Sequence, residues 1–84
     1  MNPIDYSKLR SLTVRQLIRA LRQDGFVFER QTGSHQQYRH TDGRQVTVSF
    51  YRSSDTFKPK TLKSMIELQA RWTEDDLKRL GLLK

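Results

Sequence analysis

Apolar residues recur along the first part of the chain with a helical period. Val14, Leu17, Ile18 and Leu21 fall at i, i+3, i+4 and i+7 and make one stripe, while Arg15, Arg19 and Arg22 lie off it. Thr13 stands ahead of the stripe as an N-cap, with Gln16 at the capping-box position three residues on. Gly25 offers a left-handed stop, and Leu9 and Leu12 are expected to pack from the segment before the cap. The period then changes to two. Phe26-Val27-Phe28-Glu29-Arg30 reads as a strand with Phe26 and Phe28 on one face. Thr32-Gly33-Ser34 reads as a short loop, and His35 to His40 as a second strand. If Tyr38 anchors that strand to the core, Gln36 and His40 share its face, and His35, Gln37 and Arg39 lie opposite. Asp42-Gly43, within Thr41–Arg44, signals a hairpin turn. The third strand, Gln45 to Phe50, turns Val46, Val48 and Phe50 inward.

A polar loop, Tyr51 to Phe57, leads to a second long helix with Leu62, Met65, Ile66 and Gln69 on one stripe and Ala70 and Trp72 near its end. Pro59 suits its first turn, and Thr61 is a competing cap. A short third helix is expected after Thr73, with Asp76 in the capping-box position and Glu74, Asp75 and Asp76 in the positive first turn. Leu77, Leu80 and Leu82 form its apolar side, and Gly81 ends it. The order α-β-β-β-α with a short C-terminal helix predicts an α+β fold, with two helices packed on one face of a three-stranded antiparallel sheet. Residues 1–84 read as one domain. Double-stranded-RNA-binding domains use the same order, but order alone does not fix function.

Composition narrows the chemistry. The chain has 84 residues, no cysteine and two histidines, which rules out a disulfide framework, a thiolate metal site and a thiol nucleophile, and gives no reason to expect a structural metal. Sixteen Lys and Arg against nine Asp and Glu give a net charge of +7, a field that attracts polyanions such as nucleic acid, an anionic membrane surface or an acidic protein. The cations are spread along the chain, which favours a folded basic face over a basic tail. No stretch is long and apolar enough for a bilayer span. Met1-Asn2-Pro3-Ile4-Asp5 lacks the charged start and apolar run of a secretory signal, so a cytoplasmic location is expected.

Two groups of residues carry candidate chemistry. His35 follows the Gly33-Ser34 turn at the start of a strand in a basic hairpin. Imidazole both accepts and donates protons near neutral pH. RNA cleavage can use the substrate's own 2′-hydroxyl as nucleophile, and then needs a base, an acid and cations for the phosphorane charge. A solvated strand histidine is the plain alternative, but the Gly-Ser-His context in a basic domain favours function. His40, on the opposite face by alternation, is poorly placed to pair with His35 and reads as strand-end structure or a secondary RNA contact. Lys58, Lys60 and Lys63 gather at a helix N-terminus against the macrodipole, a choice that suits a phosphate site. Arg39 and Arg44 are candidates to extend that surface, along with Arg30 and Arg52. Tyr51, Phe57 and Trp72 are candidate base-stacking residues, each read first as a packing residue at an element end. Gly33, Asp42 and Gly43 shape the hairpin.

At Gly33-Ser34-His35, Tyr38, Asp42-Gly43-Arg44 and Val46-Thr47-Val48 the chain resembles the HicA (YcfA-like) toxins. The likeness extends over Leu17-Ile18-Arg19-Ala20-Leu21, Gly25-Phe26 and Thr61-Leu62-Lys63-Ser64-Met65-Ile66. It implies the double-stranded-RNA-binding-like fold and the toxin role of a type II toxin–antitoxin system. It further implies a metal-independent endoribonuclease that cuts mRNA with His35 as catalytic residue, needs no cofactor, and is masked by a HicB-type antitoxin. The chain departs from that family where members carry a proline and a histidine after Val-Thr-Val, here Ser49-Phe50-Tyr51-Arg52. It departs again at Lys60-Thr61-Leu62 in place of Gly-Thr-Leu, and at Ala70-Arg71 in place of Ala-Gly. Two other readings remain: a non-catalytic RNA-binding module of the same fold, and an adaptor whose basic face docks an acidic protein.

Overall fold

Two of the α-helices begin where a side chain satisfies free backbone N–H groups. In a computed structural model that describes residues 3–84, helix α1 spans Val14–Gln23, and the Thr13–Gln16 capping box forms in both directions. Met1 and Asn2, part of the N-terminal signal reading, lie outside the described residues. Asp24 caps the C-terminus of α1, and Gly25 follows with φ +99°. Helix α3, Glu74–Arg79, carries the same kind of box between Thr73 and Asp76. A 3-10 turn at Tyr6–Leu9, unmarked in the apolar pattern, precedes α1 and buries Leu9.

Three antiparallel strands follow in the order β1 (Val27–Thr32), β2 (His35–Arg39) and β3 (Gln45–Ser49). Tyr38 pairs with Val46 and Gln36 with Val48, so alternation turns Tyr38, Val46 and Val48 into the core. These residues form one cluster with Val14, Leu17, Ala20 and Leu21 of α1 and with Leu62, Met65, Ile66, Trp72 and Leu77 of the C-terminal helices. The opposite face of the sheet, with His35, Gln37, Arg39, Gln45, Thr47 and Ser49, has no buried residue. The expected α-β-β-β-α architecture is therefore the observed one.

Four details differ from the sequence pattern. Strand β1 starts one residue later than expected and runs on to Thr32, which pairs with His35, so the loop shrinks to Gly33-Ser34. A bulge at Glu29 lies between the Phe28–Tyr38 and Arg30–Gln37 pairs. Phe26 is buried ahead of the strand, but Phe28 is 46% exposed, because β1 is an edge strand whose residues are all exposed. The second helix is also not regular: α2 is α-helical over Pro59–Lys63 and π-helical over Ser64–Gln69. Two consecutive residues at its end meet β3 and the hairpin turn before it. Gln69 Oε1 accepts the Thr47 N–H at 2.8 Å, and the Ala70 carbonyl accepts Arg44 at 2.6 Å.

Candidate active site

His35 is held by backbone on both sides. Its Cα partners are Thr32 on β1 and Ser49 on β3, and the ladder continues past it through Phe50 N–H to the Ser34 carbonyl at 3.0 Å. The two-residue turn ahead of it needs Gly33, whose φ is +59° with open space where a Cβ would point. The requirement is conformational, not steric. Gln31 Nε2 braces the turn by donating to the Gly33 carbonyl at 2.9 Å. Gln36, the next residue, points the other way and accepts the Tyr38 hydroxyl at 2.7 Å. His35 therefore stands on the helix-free face, exposed, and none of the side-chain hydrogen bonds among the described residues engages its imidazole.

The imidazole borders an open cleft of about 600 Å³ together with Ser34, Ser49, Tyr51, Asp55 and Lys58. Ser49 also borders a second depression of about 370 Å³, where Lys60 and Thr61 stand against Thr47 and Gln69. Lys58 and Lys60 thus meet the site along the β3 edge, having come from far along the chain. Lys58 is the N-cap of α2 and makes no side-chain capping bond, and no acid occupies the first turn. Lys63, further along the helix, is exposed and borders neither depression. Among the described residues no group of three or more His, Asp or Glu side chains converges as a metal ligand set would.

The two arginines proposed from sequence part company. Arg39 lies on the open face and is paired with Glu29 at 3.2 Å. It is four residues from His35 along β2, about 13 Å at ~3.3 Å per residue. Arg44 is turned inward, with its side chain 17% exposed. Its guanidinium bonds Asp42 at 2.7 Å, Asp24 at 3.1 Å and the Ala70 carbonyl, and lies 4.8 Å from the centroid of the Phe26 ring. Its role is to tie the hairpin to the helices, which removes it from the phosphate-binding set. Asp42 and Gly43 do shape the hairpin: Gly43 N–H donates to the His40 carbonyl and adopts φ +97°, while Asp42 Oδ1 accepts the Arg44 N–H.

Asp24 is the centre of this interior network. It accepts Trp72 Nε1–H at 2.9 Å and Arg79 at 2.9 Å besides Arg44. Burial pushes its carboxyl up, but the bonds from Trp72 and Arg79 and the Arg44 charge outweigh that and hold it below the usual carboxylate range. His40 joins the same network. Its Nε2 lies 2.8 Å from the Asp24 carbonyl, its Nδ1 receives the Asp42 N–H at 3.1 Å, and its ring meets Phe26 edge-on. Those partners, with Asp42 Oδ1 3.1 Å from Nδ1, bind the ring structurally, away from His35.

The sequence marks the polar loop Tyr51 to Phe57 but not the bonds that pin it beside His35. Tyr51 N–H and Arg52 N–H both donate to Asp55 Oδ2, at 3.2 and 2.9 Å. The Asp55 and Ser53 carbonyls in turn accept the first N–H groups of α1, from Val14 at 2.9 Å and Arg15 at 3.0 Å. No periodicity marks this loop. Its one legible signal is Asp55 itself, a residue that bonds nearby backbone readily.

Residues 14–81 match the family described as HicA toxin of bacterial toxin–antitoxin. The chain belongs to the HicA toxin family. Comparison with curated proteins gives no match. The family match runs from the first residue of α1 to the glycine after α3, so it takes in every strand, the Gly33-Ser34 turn, His35 and the lysines of α2. A toxin of such a pair has an antitoxin as its partner. In this HicA-family chain no described helix is long and apolar enough to cross a membrane.

Proposed function

We propose that this HicA-family toxin is an endoribonuclease that cuts mRNA at His35 without a metal, and that a HicB-type antitoxin silences it by covering that face. The observation that carries the reading is an exposed imidazole, engaged by no side-chain hydrogen bond among the described residues, sharing one cleft with Lys58 beside a second that holds Lys60. His35 takes the proton of a ribose 2′-hydroxyl as its oxygen attacks the adjacent phosphorus, and the bond from phosphorus to the 5′-oxygen breaks, that oxygen taking a proton from solvent as it leaves. Lys58 and Lys60 offset the phosphorane charge, while Lys63 and Arg39 hold flanking phosphates. The products are a 2′,3′-cyclic phosphate and a 5′-hydroxyl.

The deciding experiment incubates purified protein with single-stranded RNA, with and without chelator, beside His35→Ala. Cleavage is expected to persist in chelator and to fall by about 100-fold or more in the variant, which should keep its melting curve because the side chain is exposed and unbonded. Growth arrest on expression should disappear with the same substitution. A wild-type protein that binds RNA but never cuts it would return the chain to the RNA-binding-module reading. One that shows no RNA interaction would favour the acidic-protein adaptor.

A further inference from the structure

The chain has eight aromatic side chains, and all lie among the described residues. Seven have protein neighbours. Phe26, Tyr38 and Trp72 are buried, Tyr6, Phe50 and Phe57 pack against the core, and Phe28 meets Tyr38 edge-on. Tyr51 is the exception, 90% exposed at the rim of the cleft that holds His35 and Lys58. The expectation that it packs at an element end fails.

Its exposure does not come from a loosely held backbone. Tyr51 N–H and Arg52 N–H share Asp55 Oδ2, and Asp55 N–H returns to the Arg52 carbonyl at 3.0 Å. Arg15 bonds Ser53 twice, through backbone and through its guanidinium at 3.1 Å, and Thr13 bridges to Thr56. Phe50 N–H on the Ser34 carbonyl ties the same loop to the turn that presents His35. A pinned backbone thus displays a bare aromatic ring at the site. Ordering such a ring against a ligand costs little entropy, since only two χ angles remain to be restricted.

We propose that Tyr51 is the nucleobase platform of this site. Its ring stacks an unpaired base of single-stranded RNA next to the phosphate that lies between His35 and Lys58. The proposal rests on the RNA-cleaving reading above and adds the residue that grips the base. Stacking on an exposed ring needs an unpaired base, so the chemistry selects single-stranded over duplex RNA and tolerates different bases. A cleft of about 600 Å³ lies within the range of sites that hold small ligands, and cations beside an aromatic platform are the combination that single-stranded nucleic acid requires.

The test uses the full chain carrying His35→Ala, so that RNA is not consumed, and a short single-stranded oligoribonucleotide bearing 2-aminopurine. Adding Tyr51→Ala is expected to weaken binding about ten-fold or more and to abolish the fluorescence quenching that stacking causes, with the melting curve unchanged. Tyr51→Phe, which keeps the ring, should restore binding to within about two-fold. An abasic nucleotide at the quenched position should erase the difference in affinity between proteins with and without the Tyr51→Ala substitution. Equal affinity for intact RNA with and without the ring would overturn the platform, as would Tyr51→Phe behaving like Tyr51→Ala, which would assign the effect to the hydroxyl. Loss of antitoxin neutralisation with RNA affinity intact would also overturn it and give Tyr51 to the protein partner. Absence of cleavage by the unaltered protein is a separate result and counts against the RNA-cleaving reading itself.

Discussion

The two histidines show how environment assigns a residue its work. His40 has a backbone carbonyl on one nitrogen, a backbone N–H on the other and Phe26 on its ring. His35 has open solvent and a lysine-bordered cleft. A proton shuttle needs a ring whose nitrogens are free for substrate, and only His35 meets that condition. Asp24 is the residue on which the interior network depends. Replacing it in Asp24→Asn leaves Arg44 without its buried counter-charge and should cost about 2–3 kcal/mol at neutral pH. Because its folded carboxyl titrates below the unfolded value, the stability it contributes is present above about pH 4 and is lost as the pH falls through the lower, folded value. Denaturant midpoints measured from pH 7 down to pH 2 should therefore show the gap between wild type and Asp24→Asn closing at the acid end. A gap that stayed constant with pH would mean the carboxylate charge is not what the network uses.

At the scale of the element, α2 and its end are the most irregular part of the fold. The π-helical stretch Ser64–Gln69 brings Gln69 to the free edge of β3, where its side chain takes the Thr47 N–H. That bond occupies one N–H of the β3 edge, while the β1 edge carries the Glu29 bulge. The helix then stops at Arg71, the one non-glycine residue with positive φ among those described, at +57°. A left-handed L-residue costs roughly 1–2 kcal/mol, and glycine loses ~0.5–1 kcal/mol of chain entropy in exchange. Arg71→Gly should thus stabilise the protein by about 0.5–1 kcal/mol, read as a higher urea midpoint with unchanged slope. A lower midpoint would show that the Arg71 side chain contributes more than its backbone loses.

For the whole molecule, the +7 charge matters through where the cations end up. Lys58 and Lys60 stand along the β3 edge, Arg39 and Arg30 project from the open sheet face, and Arg44 is withdrawn into the interior. If Lys58, Lys60, Lys63 and Arg39 each hold a phosphate, single-strand RNA affinity should fall with log[salt] at a slope of about −3, from ~0.7 per contact. Lys58→Ala should reduce that slope by about 0.7, whereas Arg44→Ala should leave it unchanged and lower stability instead. Binding isotherms between low and moderate salt check both expectations on His35→Ala protein, and an undiminished slope in Lys58→Ala would take that lysine out of the site.

Local rules reach a long way in this protein. The capping boxes at Thr13 and Thr73, the Asp42-Gly43 turn, the core faces of α1 and β3 and the separation of His35 from His40 all follow from residues a few positions apart. Spacing and backbone preference act at that range, and the family likeness is carried by the same local blocks. What the sequence could not determine depends on contacts between distant segments. Whether Arg44 faces a phosphate or Asp24 depends on Trp72 and Arg79 meeting the end of α1 at one carboxylate. That the π-helical stretch of α2 ends with Gln69 on the Thr47 N–H is a contact between segments 22 residues apart. Whether Tyr51 packs or stands free depends on the Asp55 clamp and the N-terminus of α1 holding its loop against the turn of His35. Burial and hydrogen-bond satisfaction are set by all neighbours at once, so these assignments exist only when the chain is folded.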